Sequence, residues 1–145
     1  MADVVDKATR SRMMSGIKGK NTKPEMVVRQ GLHRAGFRFR LHAPGLPGKP
    51  DLLLPKWRAA IFVHGCFWHR HEGCRFTTTP ATRPAFWDQK FGANVLRDER
   101  AFVALQKAGW RVATVWECAV RRDARGATER LARWITSDSG SATID

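Results

Sequence analysis

Between Ile61 and Cys74 the chain reads IFVHGCFWHRHEGC, a segment that holds His64, Cys66, His69, His71 and Cys74. Three of the five histidines and two of the three cysteines fall within these few residues. Thiolates and imidazoles at this density point to a bound metal, with imidazoles left over for chemistry beside it. The spacing C-x4-H-x2-C can set Cys66, His71 and Cys74 around one ion, and Cys118 can supply a fourth ligand from the end of a later strand. A Cys3His set favours tetrahedral Zn²⁺, and four protein ligands make a closed, structural site. Three other readings stay open at this point. Cys118 is a buried core cysteine and the loop holds no metal, or Cys66 and Cys74 form a disulfide, or His69 replaces His71 as a ligand.

A second constellation surrounds the first. Asp51 follows Pro50 at the head of an apolar run, His64 closes the next apolar run, and His69 comes five residues later. Cutting a phosphodiester requires an activated water, stabilisation of the charge that builds on phosphorus, and a proton for the leaving oxygen. A carboxylate that holds Mg²⁺ serves the second need, and a histidine near its ordinary pKa serves the first or third. Against this stand plainer roles: a turn residue after proline for Asp51 and a satisfied core histidine for His64.

Lys and Arg number 26 against 13 Asp and Glu, a net charge of +13. Such a balance calls for a polyanionic partner, and the abundance of Arg, whose planar fork suits phosphates and guanine edges, favours nucleic acid. A membrane surface is a poorer match, because the basic residues are spread along the chain, and no apolar run is long enough to span a bilayer. With no apolar leader and an odd number of cysteines, the chain is expected in the cytosol, where clustered Cys and His bind metal more often than they form bridges. Most of the six Trp and eight Phe must be core, but Phe67, Trp68 and Trp87 sit among polar and charged neighbours.

Around these residues the patterning predicts one α/β domain of 145 residues. Residues 1–20 read as a basic arm. A helix capped at Asn21 or Thr22 runs to about Ala35, with Glu25 one turn before Arg29 as an ion pair. Alternation predicts a strand over Phe37–His42, and apolar runs predict strands at Asp51–Leu54 and Arg58–His64. One or two helices, broken near Gly92, cover Pro84–Ala108. A last strand spans Trp110–Glu117, a terminal helix covers 128–136, and 137–145 reads as a frayed tail. The domain proper is thus 21–136, a mixed sheet flanked by helices.

These residues also carry a resemblance. Met1-Ala-Asp, Asp6-Lys-Ala-Thr-Arg-Ser, Leu46-Pro-Gly-Lys-Pro-Asp51, the run Ile61–His69, Pro80-Ala-Thr-Arg83, Phe86-Trp87, Asn94-Val95, Arg97-Asp98, Gly109-Trp-Arg-Val112 and Val115-Trp-Glu-Cys118 together resemble the very short patch repair (Vsr-type) DNA mismatch endonucleases over nearly the whole chain to about residue 135. The resemblance implies a restriction-endonuclease-like fold with a structural zinc, and Mg²⁺-dependent nicking of one strand beside a T:G mismatch left by deamination of 5-methylcytosine. It implies that Asp51 and the backbone carbonyl of Val63, where the family often has Thr, hold Mg²⁺. His69 would act on the attacking water with His64 and Glu25 in support, and Cys66, His71, Cys74 and Cys118 would hold Zn²⁺. Phe67, Trp68 and Trp87 would enter the duplex from the major groove and Met14 from the minor groove. A monomer in the bacterial cytoplasm, on the nucleoid, is implied, with mismatched double-stranded DNA as substrate and mismatch-repair proteins as candidate partners. Two alternatives are a restriction-like nicking endonuclease of different or relaxed specificity, and a non-catalytic, zinc-stapled DNA-binding module.

Overall fold

The computed structural model describes residues 21–145; the basic arm 1–20 and Met14 lie outside the described residues. Helix α1 (Lys23–Arg34) starts where Thr22 Oγ1 accepts the Glu25 amide, has Pro24 in its first turn, and is followed by Gly36 at φ 95°. Strands β1 (Arg40–Leu41), β2 (Leu52–Leu54) and β3 (Ala59–His64) follow, with a single 3-10 turn, Pro55–Trp57, between the last two. The long helix α2 (Pro84–Lys107) crosses to β4 (Arg111–Trp116), and α3 (Glu117–Arg122), α4 (Ala124–Thr136) and β5 (Ala142–Ile144) complete the chain.

The five strands lie in chain order in one sheet. Pairing is antiparallel from β1 to β3 and parallel from β3 to β5, so the sheet is mixed, as the patterning predicts. Both faces are covered. Leu52, Leu54, Ala59, Ile61, Val63, Ala113 and Val115 face α1, α3 and α4 through Val28, Leu32, Ala119, Leu131 and Ile135. The alternate residues Leu53, Ala60, Phe62 and Val112 face α2 through Ala101 and Leu105. Because side chains alternate along a strand, Asp51 and His64 share the α2 side with Leu53 and Phe62.

The structure corrects several boundaries. The first strand shrinks to two exposed residues, because Phe37 and Phe39 pack onto the core beside α1 and His42 turns to φ 46°. Helix α2 runs unbroken through Gly92, which stands on an open face while Phe91, Ala101 and Leu105 anchor the buried side. Glu117 and Cys118 open a helix rather than end a strand. The terminal helix begins at Ala124, with Asp123 Oδ1 accepting the Gly126 amide.

The frayed tail is corrected too: Ala142–Ile144 pairs with β4 at the sheet edge. The cause is a set of polar contacts that the tail's small, polar composition does not advertise. The Arg111 guanidinium donates to the carbonyls of Trp57, Trp134, Ile135 and Ser139. Trp134 Nε1 donates to the Gly140 carbonyl at 2.7 Å, and Ser141 Oγ accepts the Val112 amide at 3.1 Å. No described helix is long and apolar enough to cross a membrane.

Candidate active and metal sites

Between the sheet and α2 lies a cleft of about 1020 Å³, lined among others by His42, Asp51, Val63, His64, His69 and Asp98. Asp51 stands one residue before β2, where the β2–β3 ladder has run out. Its carboxylate Oδ2 therefore accepts the Val63 amide at 2.8 Å in place of a strand partner, and its own carbonyl accepts the His42 amide at 3.0 Å. A strand residue presents its N–H and C=O on the same edge, so the Val63 carbonyl belongs to the edge that Asp51 occupies.

Glu25, only 1% exposed, is brought to Asp51 by the first turn of α1. Its Oε1 accepts the Asn21 amide at 3.0 Å, and its Oε2 lies 2.8 Å from His42 Nε2 and 3.4 Å from Arg29 Nη1. The expected ion pair with Arg29 is thus present, alongside a second use of the same carboxylate. Ligand atoms of Glu25, His42 and Asp51 all fall within 4.8 Å of one another. Burial, reinforced by the neighbouring Glu25 charge and opposed by the Val63 amide, raises Asp51 to a pKa of about 7. Two carboxylates with mainly oxygen donors, one of them reluctant to ionise alone, fit a hard divalent cation.

His64 and His69 stack face to face, with ring centroids 3.8 Å apart and planes 4° from parallel. His69 Nδ1 lies 2.6 Å from Asp98 Oδ2, which reaches in from α2. A carboxylate acceptor there holds the proton on Nδ1 and leaves Nε2 free as a base. Burial, with the His69 charge adding to it against the pull of Asp98, lowers His64 to about 3. His64 therefore stays neutral, and its stack does not oppose a positive charge on His69.

Cys66, His71, Cys74 and Cys118 also converge, their ligand atoms within 4.8 Å of one another. His71 Nδ1 lies 3.7 Å from Cys66 Sγ and 3.4 Å from Cys118 Sγ. A tetrahedral zinc with ordinary bond lengths spaces its ligands by about 3.5–3.8 Å, close to the two separations from His71 Nδ1. All three cysteines are free thiols, which removes the disulfide reading. Burial pushes the Cys66 thiol up to about 12, so a cation is needed to hold it as thiolate. At Cys74 burial is outweighed by the Phe76 amide and by hydrogen bonds within the quartet, which bring it down to about 7. Helix α3 brings Cys118 in at its first turn, and the Cys118 amide donates to Cys66 Sγ at 3.4 Å.

Sequence reasoning misses three partners here. His42 and Asp98 complete the two acid–imidazole sets of the cleft; Arg97-Asp98 enters the sequence reading only within the resemblance and without a role, and nothing in the local sequence marks His42. Asp145 is the third: its Oδ2 lies 3.4 Å from His71 Nε2, the imidazole nitrogen turned away from the quartet. Carboxylates in this position orient metal-bound imidazoles, and losing one costs about 10–100-fold in metal affinity. Asp145→Ala is therefore expected to release zinc to a chelator at least about tenfold faster than wild type, followed with a colorimetric zinc indicator. Equal release rates would make the contact incidental.

Phe67, Trp68 and Trp87 do meet, in a half-buried cluster around the buried Phe91. Phe67 lies 4.9 Å from Trp68, 6.0 Å from Trp87 and 5.1 Å from Phe91. The rings lean on α2 and on one another. Arg70 stacks 4.0 Å from Phe91, and Asn94 Nδ2 donates to the Trp68 carbonyl at 3.1 Å.

A family model described as "DNA mismatch endonuclease Vsr" matches residues 2–75, a span that holds Glu25, Asp51, His64, Cys66, His69, His71 and Cys74. The chain belongs to the Vsr family. The DNA mismatch endonuclease Vsr of Escherichia coli strain K12 is 46% identical over 149 residues, covering 100% of this chain and 95% of that protein. The type II nicking enzyme V.XorIIP of Xanthomonas oryzae pv. oryzae is 48% identical over 118 residues, 81% of this chain and 86% of its own length. V.NmeAIP, a type II nicking enzyme of Neisseria meningitidis serogroup A, is 39% identical over 137 residues, 93% and 97% of the two chains. The Vsr model ends before Asp98 and Cys118, so their place in the sites is read from the geometry above.

Proposed function

We propose that this member of the Vsr family is a DNA mismatch endonuclease that nicks one strand beside a T:G mismatch, on a restriction-endonuclease-like scaffold, as a cytoplasmic enzyme working on the bacterial nucleoid. The observation that carries the reading is that one cleft is lined by both the Asp51 carboxylate and the His69–Asp98 pair. Asp51, the Val63 carbonyl and, in support, Glu25 would hold Mg²⁺, which supplies charge stabilisation at the scissile phosphate. His69 Nε2 takes the proton from the attacking water, and Asp98 stabilises the imidazolium that results. Neutral His64 keeps the His69 ring in plane. Cys66, His71, Cys74 and Cys118 would hold structural Zn²⁺ and so fix the loop between His64 and Cys74. A non-catalytic DNA-binding module would leave the whole cleft without a use.

Phe67, Trp68 and Trp87 are proposed to meet the mismatch. Opening a T:G wobble step costs less than opening a matched step, and stacking on bases contributes roughly 1–3 kcal/mol per aromatic contact. Trp68→Ala is expected to slow T:G nicking by about tenfold or more, the factor that ~1.4 kcal/mol represents, while phosphate-driven binding changes little. The test is nicking and binding on T:G and T:A duplexes of one sequence at fixed salt, with Mg²⁺ or with EDTA. Equal wild-type nicking of both duplexes would favour the relaxed, restriction-like reading. Equal loss on both for Trp68→Ala would make that ring a core residue.

A further inference from the structure

Trp116, the last residue of β4, stands between the two sites. Its indole lies parallel to the His71 ring, with centroids 4.2 Å apart and planes 10° from parallel. It also meets His64 edge-on, at 5.3 Å and 73°, and it lines the cleft beside His64 and His69. His64 in turn stacks on His69 at 3.8 Å. The rings of His71, Trp116, His64 and His69 therefore form one continuous ladder. It is held at one end by Asp145 on His71 and at the other by Asp98 on His69.

We propose that Trp116 is a positioning residue that couples the metal quartet to the cleft, so that ligation of His71 sets the orientation of the His64–His69 pair. This rests on the assignment of His69 to proton transfer. The physical basis is steric. His64 is buried and closes on three rings, Phe62, His69 and Trp116. Phe62 and His64 belong to one strand and cannot move apart. Trp116 comes from the neighbouring strand, in register opposite His64. Remove the indole and His64 gains a void on one side, so His69 loses the flat surface that fixes its plane. A stacked indole equally limits how far His71 can rotate about its bond to a metal. Reacting groups must be held to within a fraction of an ångström, and a displacement of about 1 Å can cost about a hundredfold in rate.

Two variants test this. Trp116→Phe keeps a ring between the histidines and Trp116→Leu removes it. Zinc content, duplex affinity and single-turnover nicking would be measured on each. Trp116→Leu should retain zinc and bind duplex DNA much as wild type does, yet nick at least about tenfold more slowly. Trp116→Phe should recover most of that rate. Wild-type nicking by zinc-loaded Trp116→Leu would overturn the proposal, as would a loss that only follows the fraction of protein without zinc. A second readout does not depend on activity. In the DNA-free, zinc-loaded protein, the imidazole Cε1–H resonance of His69, whose ring packs on His64 rather than on Trp116, should move or broaden in Trp116→Leu, and that of exposed His33 should not. An unmoved His69 signal would sink the coupling. A wild-type protein that nicked nothing would instead sink the nuclease assignment and leave this resonance test in force.

Discussion

Asp51→Asn should nick T:G duplex at least about a thousandfold more slowly than wild type, because the charge that would hold Mg²⁺ is gone, and a metal's charge stabilisation is worth several kcal/mol at ~1.4 kcal/mol per tenfold. The substitution changes little else. Asparagine keeps a side-chain oxygen that can accept the Val63 amide, so the turn into β2 survives. It also removes a buried charge that burial foremost, and the neighbouring Glu25 charge after it, disfavour, raising Asp51 to about 7. The protein should therefore fold at least as well in the absence of Mg²⁺, and bind DNA at unchanged affinity, since the net charge of +13 supplies the phosphate contacts. Single-turnover rates and melting curves on the same preparations separate these effects. Nicking at the wild-type rate would place the metal, and the active site, elsewhere.

The second large effect is expected at Cys118. Cys118→Ala should lose bound zinc and melt about 10 °C or more below wild type. A zinc held by all four residues would cross-link the loop Cys66–Cys74 to the start of α3, and its binding energy would be folding energy. If even ~4 kcal/mol of that is lost, a chain of this size drops by roughly 8–16 °C, at about 2–4 °C per kcal/mol. The damage should spread beyond stability: His69 is two residues from His71, so nicking should fall with the metal. Zinc assay and calorimetry on one sample decide the matter. Full zinc content with unchanged melting would remove Cys118 from the quartet.

How much of this is legible in the chain depends on where the information sits. The ligand quartet is legible because thiols and imidazoles are scarce and their chemistry is carried by residue type, so three cysteines and a histidine can be grouped across the sequence gap before Cys118. The pair Asp51 and His64 is legible because one opens an apolar run and the other closes one, and apolar runs become the central strands. Asp98 is not: it is one of several charges along α2, and only the packing of that helix over the sheet decides that it, and not Glu99, points at His69. His42 is hidden for the same reason, in an alternating segment whose backbone bends away after two paired residues. The tail misleads in the opposite direction. Its small, polar composition argues for disorder, while contacts that order it come from Arg111, on a different strand. Glu25 is half legible: its position one turn before Arg29 announces a surface ion pair, and burial against Asp51 turns that same carboxylate inward.

The parallel pairing of β3 with β4 has a consequence for how the enzyme is born. Ala59 lies opposite Arg111 and His64 opposite Trp116, so the strand that carries the cleft has its main neighbour on the far side of a 24-residue helix. A chain emerging from the ribosome therefore carries Asp51, His64 and His69 long before it carries the strand that aligns them, and non-local pairing of this kind forms late. The fourth cysteine follows β4 directly, and β5 and Asp145 follow later still. A partly made chain thus carries Asp51, His64 and His69 without their arrangement. Any cleavage that depends on this cleft therefore waits on the synthesis of β4.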